Sequence, residues 1–325
     1  MIGWAAAGEE CGTEILLKCE HQQKTGSFKV RGALAKLLSL GEGQRERGVV
    51  AASSGNHGLG VAYALSALGG TEIVCVPAHA SPVKVAAIRR YGVDVRVMGH
   101  EPAETERLAR RLAAETGMSY ISLYNDLDVI GGQGTVGEEI VQQLGGRAVD
   151  AVVVAVGGGG LISGIGAVIK SALPGVRVIG ASPANDAAMA ASVRAGQVVQ
   201  VGARPTISDG TAGGVEEGSI TLPLCAELVD AWVLVTEPEI CSALRFMIDT
   251  EHQLVEGAAA VAIAAGLKAG RNCGGQAMVI VRRQHLINRA SPGHRRCTSQ
   301  LTPAPVTGLK DVLDPITRKF SLRRI

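Results

Sequence analysis

Three short segments carry residue types that could do chemistry together. Thr25-Gly26-Ser27-Phe28-Lys29 places an amine beside an aromatic ring, just after a helix-capping serine, Ser27. A lysine amine forms a Schiff base with a carbonyl, and an apolar side chain next to it supports a flat ring. Ser53-Ser54-Gly55-Asn56-His57-Gly58 gathers two hydroxyls, an amide and an imidazole in one turn. Such a turn starts a helix well, and it also suits a carboxylate or a phenolic oxygen. Gly157-Gly158-Gly159-Gly160 follows an all-apolar run, residues 151–156. Four glycines are more than a tight turn needs. They let backbone approach a ligand, and the N–H groups at the next helix start favour an anion.

The anion is a monophosphate on this reading. Counted from Gly158 and Gly160, the third glycine of a dinucleotide loop would fall on Ser163. That spacing argues against a nucleotide-binding oxidoreductase. Alone, Lys29 reads as a solvated lysine, and each loop as an ordinary strand–helix turn. Together the three supply an amine, a phosphate cup and polar ring contacts, which are the needs of pyridoxal phosphate.

The elements that must position these segments alternate. Strands are expected over 15–19, 49–52, 73–76, 93–97, 151–156, 176–181, 233–235 and 277–281. Helices are expected over 30–40, 58–68, 82–91, 101–116, 134–144, 161–172, 238–250 and 257–269. The run 151–156 has the apolar character of a strand buried on both faces. The alternation predicts an α/β fold with mostly parallel sheets flanked by helices. No internal repeat stands out.

The bulk numbers agree with an enzyme. The 325 residues are 46% apolar and 19% charged, with 43 glycines, enough to bury a sizeable core. Seven scattered cysteines without a C-x-x-C pair point to reduced thiols in a cytoplasmic protein. No apolar run is long enough for a membrane span, and the acidic start does not read as a signal peptide. Residues 1–281 hold 22 Lys/Arg against 28 Asp/Glu, which argues against nucleic-acid binding by the body. Residues 282–325 hold ten against two, an atypical basic tail.

The ordered motifs resemble a known family. Lys18-x-Glu20, Gln23-x-Thr25-Gly26-Ser27-Phe28-Lys29-x-Arg31-Gly32-Ala33, the Ser53–Gly58 turn and the tetraglycine loop are similar to the fold-type II pyridoxal-phosphate enzymes. The branch is that of threonine/serine dehydratases and serine racemases. Gly131-Gly132-Gln133-Gly134-Thr135 and Glu256-Gly257-Ala258 fall where that branch has similar segments. The resemblance covers roughly residues 12–281. It implies a two-domain, tryptophan synthase β-like fold. Residues 1–40 and 131–281 would form the large cofactor-binding domain, and 41–130 a small inserted one. It also implies elimination of water from L-threonine or L-serine to give a 2-oxo acid and ammonia, in a homo-oligomer (dimer or tetramer). An impaired relative that only binds the cofactor or an amino acid is the alternative, as is a serine racemase.

The site roles come from the same resemblance. Lys29 would carry pyridoxal 5'-phosphate and act as base at the substrate Cα. Phe28 would pack beside the cofactor ring, and Asn56 would bond its phenolic oxygen. Gly157, Gly158, Gly159 and Gly160 would hold the phosphate. Ser53, Ser54 and His57 would hold the substrate carboxylate, and Ser54 would serve as acid/base on the opposite face.

Three departures from the family stand out. Only about a dozen residues precede Thr13, so either a truncated protein or a true start further upstream is expected. After the strand 277–281 the family has a Ser/Cys-Gly-Gly/Ala-Asn turn, whose hydroxyl or thiol meets the pyridine nitrogen. Here the chain reads Arg282-Arg283-Gln284-His285-Leu286. Back-translated and read one base over from Val281, this stretch gives Cys-Gly-Gly-Asn-Ile, so residues 282–325 read as a frameshift product, with a genuine divergent extension as the alternative. Finally, Ser182 stands where the racemases have an acidic metal ligand, leaving Asp186 nearby, and no strong metal site is expected.

Overall fold

The computed structural model describes residues 1–271 and 277–282. The chain runs β1 (Ile2–Gly3), α1 (Ala5–Cys11), β2 (Ile15–Cys19), α2 (Lys29–Ser39), α3 (Glu42–Arg47), β3 (Val49–Ala52), α4 (Asn56–Leu68), β4 (Glu72–Val76) and α5 (Pro82–Arg89). It continues with β5 (Asp94–Val97), α6 (Pro102–Thr116), β6 (Ser119–Ile121), α7 (Leu127–Leu144), β7 (Val149–Ala155), α8 (Gly160–Ala172) and β8 (Arg177–Pro183). Then come α9 (Ala188–Ala195), α10 (Thr221–Leu228), β9 (Ala231–Val235), α11 (Glu237–Glu251), α12 (Gly257–Gly270) and β10 (Ala277–Arg282). The architecture is the α/β one expected, with parallel sheets flanked by helices.

Two compact units divide these elements. The first takes Met1–Glu20 and residues 134–282, the second His21–Gln133. The first holds a six-stranded sheet in the order β1-β2-β10-β7-β8-β9. All pairs are parallel except β1 with β2. Ala151, Val152, Val153 and Val154 are fully buried, as a central strand covered on both faces must be. One core cluster joins Trp4, Leu17, Val153, Ile240, Ile263 and Ile280.

The second unit holds a four-stranded parallel sheet, β5-β4-β3-β6. Residues of β3 alternate between two cores, as a period of two requires. Val49 and Ala51 join Ala33 and Leu37 of α2 and Val61 of α4. Val50 and Ala52 join Ala109 and Ala113 of α6.

In both sheets the strand order reverses once. From β3 the chain moves outward to β4 and β5, then returns to place β6 on the other side of β3. In the larger sheet β7 leads outward to β8 and β9, and β10 lies on its other side. Loops leaving the carboxyl ends of β3 and β7 therefore open at switch points, where open α/β sheets bind ligands. Those loops are Ser53–Gly55 and Gly157–Gly159.

The domain boundaries expected at residues 40 and 130 differ from the unit boundaries at 20 and 133. The reason is α2, whose Ala33 and Leu37 share a core with β3 and α4. Residues 283–325, and with them the turn expected at the pyridine nitrogen and nearly all of the basic tail, lie outside the described residues. Cys11, Cys19, Cys75 and Cys225 are free thiols.

Candidate active site

Lys29 is the first residue of α2. The Ser27 hydroxyl accepts the Lys29 main-chain N–H at 3.1 Å in a local turn, but the N-cap position of α2 falls on Phe28, which makes no side-chain cap bond, so Ser27 is not the helix cap that the sequence suggested. The Lys29 side chain is half-buried. Its Nζ donates to the main-chain oxygen of Leu123 at 2.7 Å, just past the end of β6. Phe28 is buried, and Lys29 Nζ lies 5.5 Å from its ring centroid. The amine is thus held at the switch point of the smaller sheet.

The loop after β3 lies in the same unit. Ser53 N–H donates to Cys75 O at 3.0 Å, and Ser53 Oγ accepts the Gly55 N–H at 3.0 Å. Ser54 and Asn56 are half-buried, Asn56 opening α4. Gly60, one turn further, lies against the Lys29 main chain. A Cβ there would come 3.1 Å from the Lys29 carbonyl carbon and 3.0 Å from Val30 N. The absence of a side chain lets α4 approach the start of α2, which brings the loop close to Lys29.

His57 turns its ring away from solvent. Its ring is buried, with Nε2 donating to Ile121 O at 3.0 Å. Burial, then the positive charge of Lys29, pushes its pKa down to about 3. The imidazole is neutral and turned into the fold, so it does not present a cation to a substrate carboxylate. Ser53, Ser54 and the N–H groups at the start of α4 are further polar groups of this loop.

Two motif glycines prove to be packing residues. Gly32 of α2 and Gly132 of α7 face each other, and a Cβ on Gly132 would lie 2.6 Å from Arg31 O and 2.7 Å from Gly32 Cα. The Gly131-Gly132 pair therefore sits inside α7, which begins at Leu127 rather than at the expected 134.

In the first unit, Gly157 to Gly159 connect β7 to α8, and Gly159 caps that helix with φ of 85°. A side chain at Gly159 would be strained and would meet Cys225 Sγ at 2.9 Å and Met189 Cε at 3.0 Å. One at Gly157 would meet Thr211 O at 3.0 Å. The backbone is thus pressed from behind by α9, α10 and the loop holding Thr211. The first N–H groups of α8 have no intrahelical acceptor, so the cradle can take an anion. These residues fit a phosphate group.

Sequence reasoning missed the groups that brace this cradle. Thr221 Oγ1 donates to Gly158 O at 2.7 Å, and Ser163 Oγ lies 3.7 Å from Cys225 Sγ. It also missed the Leu123 and Ile121 carbonyls, because a main-chain oxygen leaves no mark in residue type. Lys18 and Glu20 of the first motif form a buried ion pair at 3.7 Å, and Lys18 also bonds Glu139. Ser182 Oγ donates to Val156 O at 3.2 Å, and Asp186 accepts the Gly213 N–H at 2.8 Å. Among the described residues no group of three or more His, Cys, Asp or Glu is placed to hold a metal.

Comparison with known proteins agrees with this geometry. The family model for pyridoxal-phosphate dependent enzymes matches residues 2–282. An L-threonine ammonia-lyase of Thermotoga maritima is 44% identical over 259 residues, covering 80% of this chain and 64% of the relative. The chain therefore spans less than two thirds of that relative's length. The catabolic L-threonine dehydratase of Escherichia coli is 41% identical, covering 79% of this chain and 77% of the relative. A processed threonine deaminase isoform 2 from Solanum lycopersicum superposes with a TM-score of 0.83 at 32% identity, over 88% of this chain and 83% of that one. A maize serine racemase gives 0.83 at 29% identity, over 89% and 88%. With a family model spanning nearly all of the described residues and a phosphate cradle that fits, this chain belongs to the pyridoxal-phosphate dependent enzymes.

Proposed function

We propose that this chain is an ammonia-lyase acting on L-threonine, L-serine or both, releasing a 2-oxo acid and ammonia. The observation that carries the reading is the half-buried Lys29 amine, fixed on Leu123 O at the carboxyl end of the smaller sheet. The names of the relatives from Thermotoga maritima and Escherichia coli support the choice of reaction.

Lys29 would attach the cofactor through Nζ, Asn56 would bond its phenolic oxygen, and Gly157 to Gly160 would hold its phosphate. When bound, pyridoxal phosphate makes the substrate Cα–H acidic by spreading the resulting charge into its ring. Lys29 Nζ would take that proton, with Leu123 O keeping the amine in place. Ser53 and Ser54 orient the substrate carboxylate with main-chain N–H groups at the start of α4. We place the enzyme in the cytoplasm as a homo-oligomer. Among the described residues no helix is long and apolar enough to cross a membrane.

Incubation with L-threonine and, separately, L-serine tests the reading by 2-oxo acid release. Turnover of at least one is expected, dependent on added pyridoxal phosphate. Saturated protein that releases no 2-oxo acid from either would contradict it and favour the impaired relative. A second reading, racemisation, is favoured by half-buried Ser54 in the turn beside Asn56. D-Serine formed from L-serine, and lost in Ser54→Ala, would identify it.

A further inference from the structure

The glycine cradle depends on which way its peptide planes face. A planar trans peptide points its carbonyl and the following N–H in opposite directions. The Gly158 carbonyl and the Gly159 N–H share one such plane. Glycine flanks that plane on both sides, and glycine rotates with little steric penalty. Left to itself, this peptide has two accessible faces. One presents an N–H donor to a bound anion, and the other presents a carbonyl oxygen, which repels it.

One side chain settles the choice. Thr221 Oγ1 donates to Gly158 O at 2.7 Å. Thr221 is fully buried at the first turn of α10, so this is not a solvated, interchangeable contact. A hydroxyl has a single proton. Since Thr221 gives its proton to Gly158, it must accept one from Ser219, whose Oγ lies 2.7 Å away and is itself buried. The hydroxyls therefore form a directed relay, Ser219 to Thr221 to Gly158 O. The same Thr221 presses on Gly159, where an added Cβ would lie 3.0 Å from Thr221 Cβ. The relay pulls the Gly158 oxygen toward α10 and turns the Gly159 N–H away from it.

We propose that Thr221 is a positioning residue of the phosphate cradle. It locks the Gly158–Gly159 peptide so that the Gly159 N–H faces a phosphate monoester. This rests on the reading of the cradle as the cofactor's phosphate site. Thr221 touches neither substrate nor cofactor; it acts through the peptide.

The test compares wild type, Thr221→Val and Thr221→Ser, each stripped of cofactor and titrated with pyridoxal 5'-phosphate and with pyridoxal, followed by visible absorbance. Valine keeps the shape and removes the proton; serine restores it. Losing one charge-assisted donor predicts about tenfold or more weaker binding of the phosphorylated ligand in Thr221→Val. Pyridoxal, which lacks the phosphate, should bind both proteins equally, and Thr221→Ser should recover most of the difference. Unchanged phosphate-ester affinity in Thr221→Val would overturn the proposal. So would an equal loss for both ligands, which marks a merely structural residue. Wild type that binds pyridoxal as tightly as its phosphate ester would instead sink the reading of the cradle.

Discussion

The amine of Lys29 lies 2.7 Å from the carbonyl oxygen of Leu123, so the one lysine of the Ser-Phe-Lys motif is aimed by main chain from another strand end. Lys29→Ala removes the amine but leaves the Ser27 turn bond, which engages the main-chain N–H. The variant should fold, with far-ultraviolet dichroism unchanged. It should lose the visible cofactor band, and turnover should fall about a hundred- to ten-thousandfold, the range of a lost acid–base group. Near-wild-type turnover in Lys29→Ala would remove the residue from the mechanism.

His57 predicts acid sensitivity. Its folded pKa of about 3 lies below the ordinary 6.5, chiefly because burial disfavours the charged ring. Between those values the unfolded chain binds the extra proton, so stability is complete above pH 6.5 and declines as pH falls toward 3. His57→Gln, which keeps an N–H donor for Ile121 O, should flatten that part of the profile. Thermal midpoints from pH 4 to 7 check this, and equal slopes in the two proteins would contradict it.

Glu72 predicts the opposite slope. It is buried at the start of β4, and neither carboxyl oxygen has a hydrogen-bond partner among the described residues. Burial pushes its pKa up to about 8. The folded state then holds a proton that the unfolded chain releases, so its stability contribution is full below pH 4.5 and is lost as pH rises through 8. Glu72→Gln should raise the thermal midpoint at pH 8, by roughly 1–3 kcal/mol of stability, and have little effect at pH 4.5. A midpoint lowered at pH 8 would mean that the carboxylate is satisfied.

Gly132→Ala sets two effects against each other. Alanine gains about 1 kcal/mol of helix propensity over glycine. Its Cβ, however, would sit 2.6 Å from Arg31 O, backbone that cannot swing aside. Overpacking of this kind costs about 1–3 kcal/mol, so net destabilisation is expected. Gly175→Ala, where nothing lies within 4 Å, serves as the neutral control. Chemical denaturation ranks the two, and a stabilised Gly132→Ala would refute the close helix crossing.

Much of this was readable from side-chain type. The apolar run at 151–156 falls, but for Val156, in β7, and the short run at 49–52 is β3, because strands buried on both faces need nothing but apolar residues. Lys29 and the tetraglycine stood out as the proposed amine and anion sites. Other features were hidden for physical reasons. The strand β6 is only Ser-Tyr-Ile, and α10 carries Pro223 in its first turn, so neither shows a clear period. The glycines of α7 look like a loop until α2 is seen against them. Thr221 braces a glycine 63 residues away in sequence, a relation that no local pattern encodes. The inward turn of His57 depends on the Ile121 carbonyl, which any residue would offer.

The most direct test of the central claim is chemical. Borohydride reduction of the cofactor-loaded protein fixes pyridoxal phosphate to the lysine that carries it. Trypsin then cannot cut after that residue, and peptide mass spectrometry reads the site. The modified peptide should run from Thr25 to Arg31, with the added mass on Lys29. Added mass on another lysine, or none on any, would contradict the assignment of Lys29.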